Sequence, residues 1–310
     1  MKDARTIFRF LRDAAARGER NALVTLTDVT GGSARAPGTH MAVAEGGDSA
    51  GSFSGGCIEA AVVGEAARVI ASGRAEMLRL GAGSPMIDIR LPCGGGVDLL
   101  IVPQPAPPVI AEACARLERR QPVALRIARD GAVAIDGAAT VATGWDGDSF
   151  VALHRPDLRL VLLGHGAEIQ ALSAIARAYG IAVTVFSPDE AIVARLAGEG
   201  ADATLLRTPA RLPALPADPR TAIVFLFHDH DWEAALLPQA LESDALYIGA
   251  MGSRRTQAQR IDLLLGAGVP RDRAERVVGP IGLIPATRDP DTLALSVLAE
   301  IVQRAGPSAG

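Results

Sequence analysis

Apolar and polar residues alternate with different periods along the first half of the chain, which indicates that helices and strands are mixed there. Apolar positions three and four residues apart predict a helix over residues 4–17, and the β-branched, alternating segment 22–29 predicts a strand. Further elements are expected at 41–53 (a hairpin), 57–73 (a helix), 76–80, 87–91 and 97–102 (strands), 108–120 (a helix) and 122–154 (short strands). This pattern predicts an N-terminal mixed α/β domain over residues 1–155.

The pattern changes near residue 155, beyond which strands and helices follow one another in strict alternation. Strands are expected at 159–164, 181–186, 201–206, 221–227 and 245–249, and helices at 167–179, from 189, and at 231–242, 253–266, 271–276 and 290–304. Alternation of this kind predicts a parallel sheet with right-handed crossovers. We therefore expect a C-terminal Rossmann-like domain over residues 156–310, and the α/β fold class for the chain.

Composition argues against several classes of function. The chain has 310 residues, 49% of them hydrophobic, a formal net charge of -4 and a pI near 5.8. Such a charge offers no basic surface to a nucleic acid, and no apolar run approaches the ~18 residues of a membrane span. Three cysteines are too few, and odd in number, for a disulfide framework, which is typical of a reducing cytoplasm. We expect a soluble cytoplasmic protein.

The segment GSFSGGCIEAAV (residues 51–62) brings one cysteine to the start of an apolar helical pattern. The partial positive charge of a helix N-terminus stabilises a thiolate, so Cys57 is a candidate reactive thiol. Gly55 and Gly56 directly precede it in the sequence. Free cysteine is also among the most buried residue types, and a packing role is the alternative. Glu59 is a candidate either for proton transfer or for capping backbone N–H groups.

The remaining cysteines differ in their surroundings. Cys93 lies in PCGGG between two expected strands, where glycines allow a ligand to approach the backbone. Reactivity and packing are both open for this residue. Cys114 lies on an apolar helical face, and we expect it in the core.

The loop TGGSARAPGTHM (residues 30–41) carries a guanidinium among flexible glycines. Arg35 in such a loop is suited to bidentate recognition of a phosphate or a carboxylate, with Gly32 and Ser33 beside it. A plain surface turn is the alternative.

The segment LVLLGHGAEIQAL places Gly164 and Gly166 directly after a buried strand and before a helix. In a nucleotide loop the first glycine allows the sharp turn, and the second lets backbone N–H groups approach a phosphate. Ile169 occupies the third position of the pattern, where a small residue is expected. The next strand ends in Ser187 instead of a ribose-binding acid, although Asp189 follows shortly after. The pattern leaves open whether the crevice binds NAD(P), another ligand or nothing.

Two later loops are expected at the same carboxyl edge of the parallel sheet. In FHDHDWE (residues 227–233), histidines and acids could hold a metal or contact a ligand, while Asp231 could instead cap the following helix. YIGAMGSRRT (residues 247–256) is another strand-loop-helix turn, with a serine that can cap and arginines that can hold a phosphate or remain solvated. The candidate ligand contacts of these loops are His228, Gly252, Ser253 and Arg254.

Taken in order, these segments resemble those of the XdhC/CoxI family, the accessory proteins of xanthine dehydrogenase and related molybdenum hydroxylases. The motifs are GGSARAPGTHM, GSFSGGCIE, PCGGGVD, LLGHGAEI, YIGAMGSRR and PIGL followed by PDTLALSVLAEIV. The resemblance implies a chaperone, not an enzyme, that binds molybdenum cofactor (a molybdopterin), protects it, supports its sulfuration with a cysteine desulfurase and inserts it into the client hydroxylase. A homodimer is also expected.

The resemblance also implies which residues of this chain would bind the cofactor. Cys57 becomes the expected contact to the metal or its sulfur, and the loops around it are expected to bind the phosphate and the soft metal of the cofactor. The matching positions are Cys57 with Glu59, Cys93, Gly32, Ser33 and Arg35, Gly55 and Gly56, and the turns at Gly164, Gly166 and Gly252. The alternative reading is an NAD(P)-dependent oxidoreductase, in which His228 or Cys57 is the acid, base or nucleophile.

Overall fold

The computed structural model describes residues 4–56, 58–84, 94–137, 142–210, 215, 217–228 and 230–306. The chain forms two compact units, the first ending at Pro156 and the second beginning at Asp157. The predicted α/β class is confirmed, because the first unit combines antiparallel sheets with helices and the second contains a parallel sheet. Within these residues, no helix is both long and apolar enough to cross a membrane. The strand expected at 87–91 lies outside the described residues.

The first unit is built on two antiparallel sheets. Its elements are α1 (Ala4–Ala16), β1 (Asn21–Thr30), β2 (His40–Ala44), β3 (Ser49–Ala50), α2 (Glu59–Ser72), β4 (Glu76–Gly81), β5 (Gly96–Pro103), α3 (Pro107–Glu118), β6 (Val123–Ala128), β7 (Val133–Asp136), β8 (Gly144–Asp146) and β9 (Ser149–His154). The strand orders are β3-β2-β1-β5-β4 and β7-β6-β9-β8. Because side chains alternate along a strand, Val24 packs towards α2 while Leu23 packs towards α1 and α3.

Two buried histidines join the two sheets of the first unit. The Nε2 atoms of His40 in β2 and His154 in β9 lie 3.0 Å apart, and the Nδ1 atom of His40 lies 2.9 Å from the hydroxyl of Thr25. The ring of Phe8 packs against both imidazoles. Burial lowers the pKa of His154 to about 4, and burial and the His154 ring hold the pKa of His40 well below its usual range. Both rings are therefore neutral at neutral pH.

The second unit is a parallel sheet with helices on both faces. Its elements are β10 (Arg159–Gly164), α4 (Ala167–Ala178), β11 (Ala182–Ser187), α5 (Glu190–Gly198), β12 (Asp202–Leu205), β13 (Thr221–Leu226), α6 (His230–Leu241), β14 (Tyr247–Ala250), α7 (Arg254–Gly266), α8 (Arg271–Ala274), β15 (Val277–Val278) and α9 (Pro290–Ala305). All strands are parallel, and their order is β12-β11-β10-β13-β14-β15. Successive strands are added on one side of β10 up to β12 and on its other side from β13 onwards, as in dinucleotide-binding sheets. The two-residue strand β15 is not expected from the sequence.

The strands of this sheet are apolar on both faces. In β10, Leu160 and Leu162 pack with α4, α5 and α9, whereas Val161 and Leu163 pack with α6 and α7. Burial on both faces is the reason that these strands appear in the sequence as continuous apolar runs.

Candidate functional site

Three glycine-rich loops leave the five-stranded sheet of the first unit at the same edge. Loop 1 (residues 31–39) follows β1, and loop 2 (residues 51–56 and 58) follows β3. Loop 3 is the described part, residues 82–84 and 94–95, of the connection between β4 and β5. Thr30 at the end of β1 and Gly81 at the end of β4 both pair with Gly96 at the start of β5. Antiparallel neighbours reverse direction, so these ends must meet. Cys57 stands in the sequence between Gly56 and Ile58, and Cys93 directly before Gly94, and both lie outside the described residues.

Loop 2 is folded around the carboxylate of Glu59. This side chain, in the first turn of α2, accepts six hydrogen bonds of 2.7–3.2 Å from described residues of the loop. The donors are Ser52 Oγ, Phe53 N, Ser54 N, Ser54 Oγ, Gly56 N and Ile58 N. Partial burial alone would raise the pKa of Glu59, but the Ser54 N–H and the Ser52 and Ser54 hydroxyls outweigh it and hold the pKa well below its usual range.

Of the two roles expected for Glu59, the hydrogen bonds favour capping. A carboxylate that is held as an anion by six donors has little tendency to take up a proton at neutral pH. Gly56 contributes its N–H to this arrangement, whereas Gly55 donates to the Ser52 hydroxyl. The proton-transfer role of Glu59 remains a prediction.

Arg35 connects loop 1 to loop 2. Its Nε atom donates to the carbonyl of Ser52 at 3.1 Å, and its backbone N–H donates to the Ser33 hydroxyl at 3.2 Å. Ser33 and Gly32 are exposed, and Arg35 is half-buried. The arginine thus holds the two loops together, in addition to any ligand that it contacts.

Loops 1 and 3 are in direct backbone contact. A Cβ atom on Gly95 would lie 2.5 Å from the Gly32 carbonyl oxygen and 2.8 Å from that of Thr30, so only glycine fits between them. Arg79 in β4 braces the same place, because it donates to Asp98 Oδ2 at 2.7 Å and to Thr30 Oγ1 at 3.0 Å. A third bond of 2.9 Å reaches the Ala82 carbonyl in loop 3.

Arg79 is not evident from the sequence, since it stands in an alternating strand where an arginine indicates only a solvent-facing position. The register of β4, β5 and β1 brings it to its partners. Cys114, by contrast, is buried in α3 as predicted, and burial raises the pKa of its thiol.

In the second unit, the Gly164 turn lies at the point where the strand order reverses. A Cβ atom on Gly164 would overlap the Leu226 carbonyl of β13, and the backbone φ of +151° is one that other residues rarely adopt. Gly166 precedes α4, and His228 follows β13 with its Nε2 atom 3.3 Å from Glu168 Oε2. The structure therefore brings Gly164, Gly166 and His228 to one edge of the sheet.

The Gly252 turn contributes to a cavity at that carboxyl edge. Ser253 caps α7 as predicted, since its hydroxyl accepts the Thr256 N–H at 3.1 Å. Gly252, Ser253 and Arg254 line a cavity of about 780 Å³ together with Glu168. Gly164, Gly166 and His228 are not among its lining residues.

The residues that would recognise a dinucleotide are engaged elsewhere. Ser187, at the end of β11, is fully buried, and its hydroxyl accepts the Asp189 N–H at 3.2 Å. The Asp189 carboxylate caps α5 by accepting the N–H groups of Ala191 and Ile192. Ile169 is buried in the core between the sheet and its helices, so its bulk is accommodated without loss of the fold. Nothing in these contacts supports NAD(P) as a ligand.

The metal-binding alternative in FHDHDWE stays a prediction, because Asp229 and the side chain of His230 lie outside what the structure describes. Among the side chains that the structure describes, no group of three or more histidine, cysteine, aspartate or glutamate side chains could hold a metal ion. Cys57, Asp229 and the side chain of His230 are not among them. Helix α6 begins at His230, so Asp231 lies inside its first turn and is not the N-cap that the sequence suggested.

Comparison with known proteins shows which protein family the chain belongs to. The family model described as XdhC and CoxI family matches residues 14–81, and the XdhC Rossmann domain model matches residues 160–301. The molybdenum cofactor insertion chaperone PaoD of Escherichia coli (strain K12) is 38% identical over 300 residues, which are 96% of this chain and 88% of that protein. The chain belongs to the XdhC and CoxI family. The resemblance seen in the sequence is thereby confirmed.

Two other relatives of this XdhC and CoxI family member are more distant. The protein YqeB of the same Escherichia coli strain is 29% identical over 205 residues, which are 63% of this chain and 36% of that protein. A Bacillus halodurans protein, whose crystal structure is described as that of a xanthine dehydrogenase, matches with a TM-score of 0.74 at 21% identity. That match covers 96% of this chain and 95% of the other, and it shows a shared fold alone.

The two XdhC segments divide the candidate residues between them. The XdhC and CoxI segment contains loops 1 and 2, with Arg35 and Glu59. The XdhC Rossmann segment contains Glu168 and Arg254, together with the cavity that they line. Loop 3 lies between the two matched segments, so Cys93 is outside both.

Proposed function

We propose that this protein is a molybdenum cofactor chaperone that binds the cofactor, protects it and inserts it into a xanthine dehydrogenase or a related molybdenum hydroxylase. The observation that carries the proposal is the similarity to a molybdenum cofactor insertion chaperone over 96% of this chain and 88% of that protein. A relation that includes both units favours a common task, because a task performed by one unit alone would need similarity in that unit only.

In the first unit, we assign to Cys57 the contact to the molybdenum or its sulfido ligand. A thiolate is a soft ligand and suits a metal that carries sulfur. The hydrogen bonds around Glu59 support a loop that is shaped before the cargo arrives, which lowers the entropic cost of binding. Cys93 and the loop 1 residues Gly32, Ser33 and Arg35 complete the proposed site.

In the second unit, we assign the organic part of the cofactor to the carboxyl edge of the parallel sheet. Ligands of such sheets bind where the strand order reverses, and the Gly164 turn and His228 lie there. Gly252, Ser253 and Arg254 line the neighbouring cavity. The proposed contacts of this edge are Gly164, Gly166, His228, Gly252, Ser253 and Arg254.

The rival function, an NAD(P)-dependent oxidoreductase, is less well supported. Its motivation is the glycine turn after β10, but a ribose-binding acid is needed at the end of β11, where Ser187 is buried. Asp189, the alternative acid, caps a helix. We therefore propose a carrier that releases its cargo unchanged.

The proposed partners follow from the proposed task. The client is a molybdenum hydroxylase lacking its cofactor, and a cytoplasmic cysteine desulfurase supplies the sulfur for the terminal sulfido ligand. A second copy of the chain would enclose an oxygen-sensitive cargo. Light scattering of the purified protein, alone and mixed with each partner, tests these assemblies by their masses.

The experiment that tests the function is anaerobic purification followed by mass spectrometry of the bound small molecule, together with titration by molybdopterin, NAD and NADP. We expect molybdopterin to be retained and neither dinucleotide to bind tightly. Cys57→Ala should weaken retention, whereas Cys114→Ala, which changes a buried cysteine of α3, should not. Tight binding of NAD without binding of molybdopterin would reverse the ranking of the two functions.

A further inference from the structure

The cavity beside the Gly252 turn has two walls of different origin. One wall is formed by Glu168, in the first turn of α4, and by the turn at residues 252–254. The other wall is formed by residues 280–290, which connect β15 to α9 and were not expected to take part in a site. The volume of the cavity, about 780 Å³, lies within the usual range of small-molecule sites.

Two arginines bring positive charge to this cavity. Arg254 lies on the first wall and Arg288 on the second. Among the residues that the structure describes, neither guanidinium has a hydrogen-bond or ion-pair partner. The acids of the cavity do have partners, because Glu168 lies 3.3 Å from His228 Nε2 and Asp289 accepts the Thr292 N–H at 2.8 Å. The arginines are therefore the charges that remain available to a ligand.

The second wall is apolar and held in place. Leu283 and Ile284 are neighbours in the chain, are 50% and 45% exposed, and both line the cavity. The segment that carries them is fixed to α9, since the Gly282 N–H donates to Glu300 Oε2 and the Ile284 N–H to Ser296 Oγ, each at 2.7 Å. A preformed apolar wall beside two arginines suits a ligand with a flat apolar body and an anionic end.

We propose that this cavity binds a phosphate ester of a flat heterocycle. Arg254 and Arg288 hold the phosphate, because planar guanidinium groups match the geometry of its oxygens. Leu283 and Ile284 cover a face of the heterocycle, and Glu168 accepts an N–H group from its edge. The inference rests on the proposed function for one point, namely that the ester is the phosphate-bearing pterin part of the cargo.

The test is calorimetric titration of the full chain with guanosine monophosphate, guanosine and inorganic phosphate. Guanine is a suitable probe because its six-membered ring carries the amino and oxo groups that a pterin also has. We expect guanosine monophosphate to bind about tenfold more tightly than guanosine. Arg254→Gln and Arg288→Gln should each weaken binding of the monophosphate about threefold and leave binding of guanosine unchanged.

Arg255→Gln is the matched control, since Arg255 is an exposed neighbour on α7 that does not line the cavity. Equal affinities for guanosine monophosphate and guanosine, an equal loss in the control variant, or no binding by the wild-type protein would each overturn the proposal. Molybdenum and pterin content after anaerobic purification separates this result from the function. Retention that is normal in Arg254→Gln and Arg288→Gln would place the cargo phosphate elsewhere and leave the chaperone role standing.

Discussion

The two loop edges of the molecule use their charged side chains in opposite ways. At the edge of the first unit, Glu59 and Arg79 are bonded to hydroxyls, backbone groups and an aspartate of the protein itself, and Arg35 to a backbone carbonyl. At the edge of the second unit, Arg254 and Arg288 line a cavity and have no partner among the described residues. The described residues of the first edge are thus held by contacts within the protein, and the second edge has charge available for a ligand.

Each edge also contains an arginine in a regular element that braces the neighbouring loop residues. Arg79 braces loops 1 and 3 in the first unit and is about a quarter exposed. Arg260 in α7 has the corresponding role in the second unit, since it donates to the Met251 carbonyl at 2.7 Å just before the Gly252 turn. Arg260 is buried with its partner Glu233, so the two arginines should differ in how much their loss costs.

The largest effect is expected from Arg260→Met. The ion pair between Arg260 and Glu233 has both side chains only 4% exposed, and the substitution removes the cation that neutralises this buried carboxylate. We expect the free energy of unfolding of the second unit to fall by about 3–5 kcal/mol. Urea unfolding combined with hydrogen exchange in β14 measures it. Arg255→Met, on the same helix but exposed, should stay within about 0.5 kcal/mol, and an equal loss in both variants would refute the buried-pair account.

Glu59→Gln should be the next largest change. The amide would turn its own N–H group towards donors that now share a carboxylate, so we expect the first unit to lose roughly 2–4 kcal/mol of unfolding free energy. Glu65→Gln, which affects an ion pair on the surface of the same helix, should cost at most about 1 kcal/mol. Urea unfolding monitored by exchange in α2 compares them, and equal losses would contradict the role given to the loop 2 hydrogen bonds.

Acid should also weaken the contribution of Glu59. Because folding lowers its pKa, the stability that Glu59 supplies is present above about pH 4.5 and is lost as the pH falls further. In Glu59→Gln this part of the acid dependence should be missing.

The histidine pair gives the first unit a second pH dependence at higher pH. Folding lowers the pKa of His154 to about 4 and that of His40 as well, so the unfolded chain takes up protons first as the pH drops. Stability is therefore complete above about pH 6.5 and falls towards pH 4, by up to about 1.4 kcal/mol per pH unit for each histidine. Measuring the free energy of unfolding at several pH values checks this. Its slope against pH should decrease in His154→Gln and stay the same in the control His228→Gln, which changes an exposed histidine. A slope that only His228→Gln removes would contradict the role of the buried pair.

Arg79→Lys should give the smallest effect. A lysine cannot form the fork that reaches Asp98, Thr30 and Ala82 together, so we expect a loss of about 1 kcal/mol and faster hydrogen exchange at the start of β5. Arg74→Lys is the control, because Arg74 is exposed and precedes β4, the strand that contains Arg79. Exchange at β5 that is unchanged by Arg79→Lys would show that loops 1 and 3 do not depend on this brace.

Sequence patterns predict the parallel sheet better than they predict the sites. Strands that are buried on both faces produce long apolar runs, and the Gly164 turn marks where the first of them ends. The sequence does not predict β15 because a strand of two residues is too short to show an alternation of apolar and polar positions. The prediction for Ser253 succeeds because a cap depends on local sequence only.

The remaining site residues depend on contacts between distant segments. Arg79 becomes a brace only through the register of three strands, and Arg288 meets Arg254 in one cavity only because residues 280–290 fold back along the sheet edge. Asp189 could serve a ribose according to the sequence, and its helix-capping bonds appear only in the folded chain. Such roles follow from tertiary structure, which single-sequence periodicity does not contain.

The proposed function requires that the protein deliver a cofactor to another enzyme. The most direct measurement is the activity that a molybdenum hydroxylase lacking its cofactor recovers when it is mixed anaerobically with the cofactor-loaded protein. We expect the wild-type protein and Cys114→Ala to restore activity faster than free cofactor does, and Cys57→Ala to lose most of this advantage. Recovery at the same rate with and without the protein would contradict the proposed chaperone function.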